Sequence, residues 1–353
     1  MYAEVVVDIP SESTKGIFHY SVPCELEDQI KVGSAVLVPF GARKITGYVV
    51  GFTDTPDVAC VKDIHGIRGD SGLGDELMVL ARWMNRYYTC SLGEAIAQMF
   101  PSSVRRGRTR PKFESVVNLA ISADEAETLI TEMECKAPRQ AEALRIVLQK
   151  GPILSKRLLT NSYGATAGAV RALIAKGILS ETEREVLRSP IKKPRGAEKP
   201  PPVLTPEQDK AVQTIIKNFD EERKKPFLLH GVTASGKTEV YMRVIEAVLE
   251  RGKSAIVLVP EIALTPQMTR DFSERFKEKV AVLHSRLSQG ERYDEWRRAG
   301  RGDARIVVGA RSAVFAPVRN LGAIIVDEEH ETSYKQEESP KYHARDVACE
   351  RAR

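Results

Sequence analysis

The chain has 353 residues, of which 42% are hydrophobic and 29% charged, with a formal net charge of +5. These proportions exclude a low-complexity or fibrous chain and leave room for two or three domains of about 100–200 residues each. No run of about 18 apolar residues occurs, and the opening MYAEVVVDIP lacks a signal peptide's basic start and apolar core, so a cytoplasmic protein is expected. Cys24, Cys60, Cys90, Cys135 and Cys349 form no C-x-x-C pair, which argues against a structural zinc site or a disulfide framework.

Residues 1–111 open with the β-like runs AEVVVDIP, IFHYSV, SAVLVPF and ITGYVVGF, separated by Gly, Pro and Asp, and then turn helical in DELMVLARWMNRYYTCSLGEAIAQMF. A small β-rich domain closed by helices is predicted. VRRGRTRPK, from Val104 to Lys112, gathers cations at its end, suited either to phosphates or to a solvated boundary.

Residues 112–187 carry three short helical patterns, APRQAEALRIVLQKG, ILSKRLLTNSYG and ATAGAVRALIAKGILSETE, the last running into a strand-like tail. That order reads as a winged-helix module, with a small helical spacer as the competing reading. RSPIKKPRGAEKPPPV is rich in Pro and Lys without apolar periodicity and makes residues 188–203 an extended linker, whose cations could also meet phosphates.

Residues 204–353 alternate apolar strands (FLLHGV, SAIVLVP, VAVLHS, ARIVVGA, LGAIIVDEE) with helical segments (VYMRVIEAVLERG, PQMTRDFSERFKEK, SQGERYDEWRRAG). The alternation predicts a parallel sheet covered by helices, with ligands at the carboxyl ends of the strands. At one such end Gly231-x-x-x-x-Gly236-Lys237-Thr238 has the spacing of a phosphate-binding loop. Glycines there let consecutive N–H groups curl around a phosphate, the Lys237 ammonium reaches the β and γ oxygens, and Thr238 holds Mg²⁺. Thr233 and Ser235 belong to the same loop.

At another end LGAIIVDEEH delivers Asp327, suited to orient the water ligands of Mg²⁺ beside Thr238, and Glu328, suited to position or deprotonate an attacking water. Upstream, the Gln208 amide can read an adenine edge, and the run Thr205, Pro206, Gln208 is also a helix-capping signal.

Together GVTASGKTEVY, LVPEIALTPQM, LHSRLSQGER, GARSAVFAP, IIVDEEHETSYKQEESPKYHARDVA and, near the start, IFHYSVP and VPFGARK resemble the PriA family (primosomal protein N′) of bacterial replication-restart helicases of superfamily 2, over the whole chain. The resemblance implies a multidomain α/β fold: a β-rich N-terminal DNA-binding domain, a winged-helix domain and a RecA-like P-loop NTPase lobe with a parallel sheet. It implies ATP and Mg²⁺ as cofactors, with Lys237, Asp327 and Glu328 catalytic. Pro260, Glu261 and Thr265, with Arg311 and Ser312, match motifs that track single-stranded DNA. Tyr334, Lys335, Tyr342, His343 and Arg345 match an aromatic-rich loop coupling DNA contact to hydrolysis, where rings stack on bases and cations meet phosphates.

The same resemblance implies that Phe18, His19, Tyr20, Gly41 and Lys62 form a pocket for the 3′ end of a nascent strand. Where the family commonly has an aspartate between the two aromatics, this sequence has His19, which removes the carboxylate that accepts from the terminal 3′-OH. Implied partners are forked and single-stranded DNA, single-stranded-DNA-binding protein and primosome components, with a bacterial, nucleoid-associated location.

The family's second lobe, its arginine finger and its zinc-binding cysteines find no counterpart in the sequence, so the chain is expected to bind ATP, turn it over poorly and unwind nothing. A fork-binding module with a non-hydrolysing nucleotide site is the alternative. A small-molecule P-loop kinase would have no use for DEEH followed by an aromatic and basic loop.

Overall fold

The computed structural model describes residues 1–7, 16–58, 60–69, 72–106, 111–151, 153–188, 190, 202–220, 225–232 and 235–353. The chain divides into two units, Met1–Arg110 with Ser189–Arg353, and Pro111–Arg188.

In the first unit, six strands form one sheet in the order β5-β2-β1-β4-β3-β6: β1 (Tyr2–Val7), β2 (Phe18–Ser21), β3 (Ala35–Phe40), β4 (Arg43–Thr53), β5 (Lys62–Asp63) and β6 (Gly66–Ile67). Period-two alternation gives each face its own core. Ala3, Val5, Tyr20, Val38 and Val49 pack on one side, while Val6, Ala35, Tyr48 and Val50 join a second cluster with the helices that follow. Phe40 pairs with Arg43, so β3 and β4 are joined by a two-residue turn that places Gly41 at φ 58, a conformation glycine adopts without a Cβ penalty.

The helices α1 (Asp75–Tyr87), α2 (Leu92–Met99) and α3 (Ser102–Arg106) close this sheet. Ser91 and Glu94 form a reciprocal capping box at the start of α2.

The second unit comprises β7 (Phe113–Leu119), α4 (Ala123–Lys136), α5 (Pro138–Lys150), β8 (Ile153–Ser155), α6 (Lys156–Asn161), α7 (Ala167–Ala175) and β9 (Leu179–Glu185). Its antiparallel sheet has the order β8-β7-β9, and its core gathers Val117, Ile130, Leu144, Leu159, Val170 and Leu173. The predicted helices appear as α5, α6 and α7, and the strand-like tail as β9. β7, α4 and β8 are additional elements, β8 taking the first three residues of the ILSKRLLTNSYG run read as helical, and a Ser122–Glu125 capping box starts α4.

The last segment of the first unit is built from α8 (Pro206–Lys217), α9 (Lys237–Glu250), β10 (Ser254–Leu258), α10 (Pro266–Phe276), β11 (Val280–Leu283), α11 (Gln289–Arg301), β12 (Ile306–Gly309), β13 (Leu321–Val326) and α12 (Ala344–Arg351). Its four strands are all parallel in the order β11-β12-β10-β13, the architecture of a RecA-like lobe. β10, β11 and β12 are buried throughout, as strands covered on both faces must be.

One predicted strand is corrected. FLLHGV runs as coil, with Phe227 50%, Leu228 78% and Val232 77% exposed. A short apolar run becomes a strand only against a ladder partner, and the ladder that β13 makes runs to β10. The first unit nonetheless shares one core: Leu77, Met84, Ile96 and Phe100 of the N-terminal helices cluster with Ile256, Trp296, Phe315 and Val347.

Candidate functional site

Gly236, in the left-handed conformation at φ 80, begins α9 without a side-chain cap, so the first N–H groups of the helix face the loop. A Cβ on Gly236 would stand 2.3 Å from Gln208 Nε2, so a larger residue would displace that amide as well as strain the backbone. Lys237 Nζ donates to Gly231 O at 2.9 Å and Val232 O at 3.3 Å, and lies 3.9 Å from Glu328 Oε1. The lysine thus bridges loop and acid. Thr233 lies outside the described residues.

Gln208 accepts from the Thr205 N–H at 2.9 Å through Oε1 and donates to Ser235 O at 3.0 Å through Nε2. Its amide therefore caps α8 and fastens the loop before α9. In this arrangement both groups with which it could read adenine are engaged.

Asp327 and Glu328 follow β13, one residue beyond the ladder, where the Asp327 N–H still donates to Leu258 O at 2.8 Å. Tyr241, one turn after Thr238 on α9, hydrogen-bonds to Thr238 and reaches Asp327 Oδ2 at 3.5 Å, so one phenol brings the two candidate magnesium ligands together. Burial raises the Asp327 carboxyl above the usual range, and the neighbouring Glu328 charge raises it further. Such a crowded acid pair suits a divalent cation, which would relieve the repulsion; Thr238 and Asp327 fit this role and the N-terminus of α9 fits a phosphate. Glu328 adopts φ 45, a strained conformation for a side chain of its size and one that recurs where catalytic groups are aimed.

The raised Asp327 carboxyl has a measurable consequence. Between the ordinary carboxylate value and the raised one, the folded chain binds more protons than the unfolded chain, so stability falls as pH rises through that window. Asp327→Asn is accordingly expected to raise the thermal midpoint at neutral pH without Mg²⁺. A lowered midpoint by scanning fluorimetry would contradict this.

The expected aromatic loop is placed differently from the sequence reading. Tyr334 and Tyr342 are both 0% exposed, so neither ring presents a face on which a base could stack. Tyr334 Oη instead donates to Asp327 O at 2.6 Å, and Tyr342 packs edge-on against Phe315 with the Arg311 guanidinium 5.9 Å from its ring. Aromatics in a polar stretch look exposed until the fold supplies a core for them. Lys335, Arg345 and Ser312 remain exposed, Arg345 being paired with Glu329 at 2.7 Å, while Arg311 donates to Lys335 O at 2.7 Å.

Polar contacts tie this loop to the N-terminal helices. Ser339 Oγ donates to Glu94 Oε1 at 2.9 Å, and the His343 N–H to Tyr88 Oη at 3.1 Å. Along the other motif segment, Thr265 caps α10 by accepting from the Met268 N–H, Glu261 accepts from Ser285 Oγ, and Pro260 is buried.

In the N-terminal sheet, β2, the β3–β4 turn and β5 bring Phe18, His19, Tyr20, Gly41 and Lys62 to one cleft of about 270 Å³. Phe18 is half-buried, edge-on to Phe40 at 5.3 Å, and Lys62 is exposed. Tyr20 is 5% exposed and donates to Pro39 O at 3.0 Å, which makes it a wall of the cleft rather than a stacking surface. Asp57 and Cys60, which the sequence reading missed, line the same cleft. They come from a loop with no local motif to mark it.

Residues 4–101 match the 3′DNA-binding domain (3′BD) of PriA, and residues 205–352 match the DEAD/DEAH box helicase domain. The chain is 36% identical to the replication restart protein PriA of Bacillus subtilis, over 99% of this chain and 51% of the relative. It is 36% identical to that of Chlamydia muridarum (100% and 47%) and 35% identical to that of Haemophilus influenzae (94% and 45%). The chain spans about half the length of these curated relatives. Among the described residues, no helix is long and apolar enough to cross a membrane.

Proposed function

Because the chain belongs to the PriA family of replication restart proteins, we propose that it carries the DNA-end-binding and nucleotide-binding parts of an ATP-dependent 3′→5′ DNA helicase. In this reading the protein acts at stalled or abandoned forks and D-loops and initiates primosome assembly. Forked and single-stranded DNA are its nucleic-acid partners, and single-stranded-DNA-binding protein and primosome components its protein partners. The setting is the bacterial cytoplasm, at the nucleoid.

The observation that carries the reading is the approach of Lys237 Nζ to within 3.9 Å of Glu328, which sets the loop before α9 beside the acid pair at the carboxyl end of β13. Bound Mg²⁺ would neutralise phosphate charge, with Thr238 and Asp327 as its protein ligands. Gly231, Ser235, Gly236 and Lys237 cradle the phosphates; Glu328 orients water. Gln208 fastens the loop, and its contact with Ser235 makes it the residue that senses a loop rearranged by nucleotide. The buried Tyr334, held to Asp327, ties the acid to the loop bearing Lys335 and Arg345, both exposed for phosphate contact.

In the N-terminal cleft, Phe18 stacks the last base, Gly41 allows close approach and Lys62 meets phosphate. Stacking on an aromatic contributes about 1–3 kcal/mol per base, so Phe18→Ala is expected to weaken binding of a fork with a recessed 3′ end about tenfold. Fluorescence anisotropy measures this, and wild-type affinity in the variant would remove Phe18 from the site. The function as a whole is tested by ATP turnover with and without forked DNA. DNA-responsive nucleotide handling that disappears in Lys237→Ala supports it; fork binding indifferent to nucleotide in the wild type would favour a fork-binding module instead.

A further inference from the structure

We propose that Asp57 supplies the carboxylate that reads the terminal 3′-hydroxyl in the N-terminal cleft, with His19 as its partner, so that the cleft takes a hydroxyl end and rejects a phosphate end. The inference rests on the cleft being the site for a DNA 3′ end.

The position between Phe18 and Tyr20 is a histidine, and a carboxylate reaches it from another element. The Asp57 backbone N–H donates to His19 Nδ1 at 3.2 Å, and Asp57 Oδ2 lies 3.7 Å from the same nitrogen. Both residues line the cleft, with Lys62. The His19 side chain is 9% exposed and that of Asp57 88%, so the ring is held in place while the carboxylate stays open to a ligand.

A neutral imidazole accepting at Nδ1 carries its proton on Nε2, which makes His19 a donor at its other nitrogen. The cleft then combines an imidazole donor, a carboxylate acceptor and, on Lys62, a cation. A terminal hydroxyl both donates and accepts: its proton goes to the Asp57 carboxylate, and its lone pair takes the imidazole N–H. A 3′-phosphate monoester, mostly dianionic at neutral pH, offers the carboxylate no proton and meets it as a like charge. Lys62 attracts either kind of end, through the terminal phosphate or the preceding internucleotide one, so the discrimination falls to Asp57.

The test measures anisotropy of the whole chain with forks whose recessed strand ends in a 3′-hydroxyl or a 3′-phosphate, or is closed in a hairpin without an end. Wild type is expected to bind the hydroxyl end about tenfold tighter than the phosphate end, the size of a partly screened like-charge penalty. Asp57→Asn, at a position exposed enough to leave folding unaffected, is expected to bring that ratio within about twofold, since it keeps the shape and removes the charge. A wild-type ratio near one, or an unchanged ratio in Asp57→Asn despite a retained preference for open ends, would overturn the Asp57 assignment alone. Equal wild-type affinity for the closed hairpin fork would overturn the reading of the cleft, and the assignment with it.

Discussion

Lys237→Ala is expected to weaken binding of a nucleoside triphosphate about a hundredfold, while changing the stability of the chain little. The loss follows from what the ammonium does. A hydrogen bond to a charged group contributes about 1.5–3 kcal/mol, and about 2.7 kcal/mol corresponds to a hundredfold. The side chain is 23% exposed, and its present partners are two loop carbonyls and a Glu328 carboxylate that is 45% exposed and can turn to water. Removing it therefore strands no buried charge. Titration of a fluorescent ATP analogue measures the affinity, and a loss below about threefold would contradict the assignment of the loop.

Trp296→Ala is expected to cost about 4 kcal/mol of stability, the range of large aromatic deletions from a core. Trp296 on α11 is 3% exposed, donates from Nε1 to Met99 O at 3.2 Å and packs against Phe100 at 5.7 Å; Phe100 stacks in turn on Tyr48 at 5.2 Å. Three rings thus join the N-terminal sheet to the helicase lobe. Trp296→Phe keeps most of the packing but leaves the Met99 carbonyl without its donor, and is expected to cost about 1–2 kcal/mol. Urea unfolding followed by circular dichroism checks both. A cost under about 1 kcal/mol for Trp296→Ala would mean that this shared core contributes little to the stability of the unit.

Much of the helicase lobe was legible because its signals are local. The start of α9 follows from the glycine placed before Lys237, since Gly236 takes the left-handed conformation at which the helix begins. SAIVLVP and LGAIIVDEE, rich in β-branched residues and placed between helical patterns, become β10 and β13. FLLHGV is apolar but has Val232 as its one β-branched residue, and it stays coil, since strand formation depends on a partner that composition does not specify. The missed α4 had left a readable mark in Ser122 and Glu125, a capping box, whereas β7 alternates only weakly in FESVVNL.

At the candidate sites the division is the same. Phe18, His19, Tyr20, Gly41 and Lys62 converge on one cleft, but the burial of Tyr20, Tyr334 and Tyr342 is set by tertiary packing. Tyr241, which meets both Thr238 and Asp327, looked like one more apolar position of α9. Asp57 contacts His19 across 38 positions, a distance over which no sequence pattern speaks.

In the proposed function the loop beginning α9 and the acids ending β13 form one nucleotide site. Its most direct test is equilibrium titration of a fluorescent ATP analogue, with and without Mg²⁺, into the wild-type chain, Lys237→Ala and Asp327→Asn. Binding that Mg²⁺ strengthens, that Lys237→Ala nearly abolishes and that loses its Mg²⁺ dependence in Asp327→Asn is the expected result; binding indifferent to all three, or no binding by the wild type, would contradict the account.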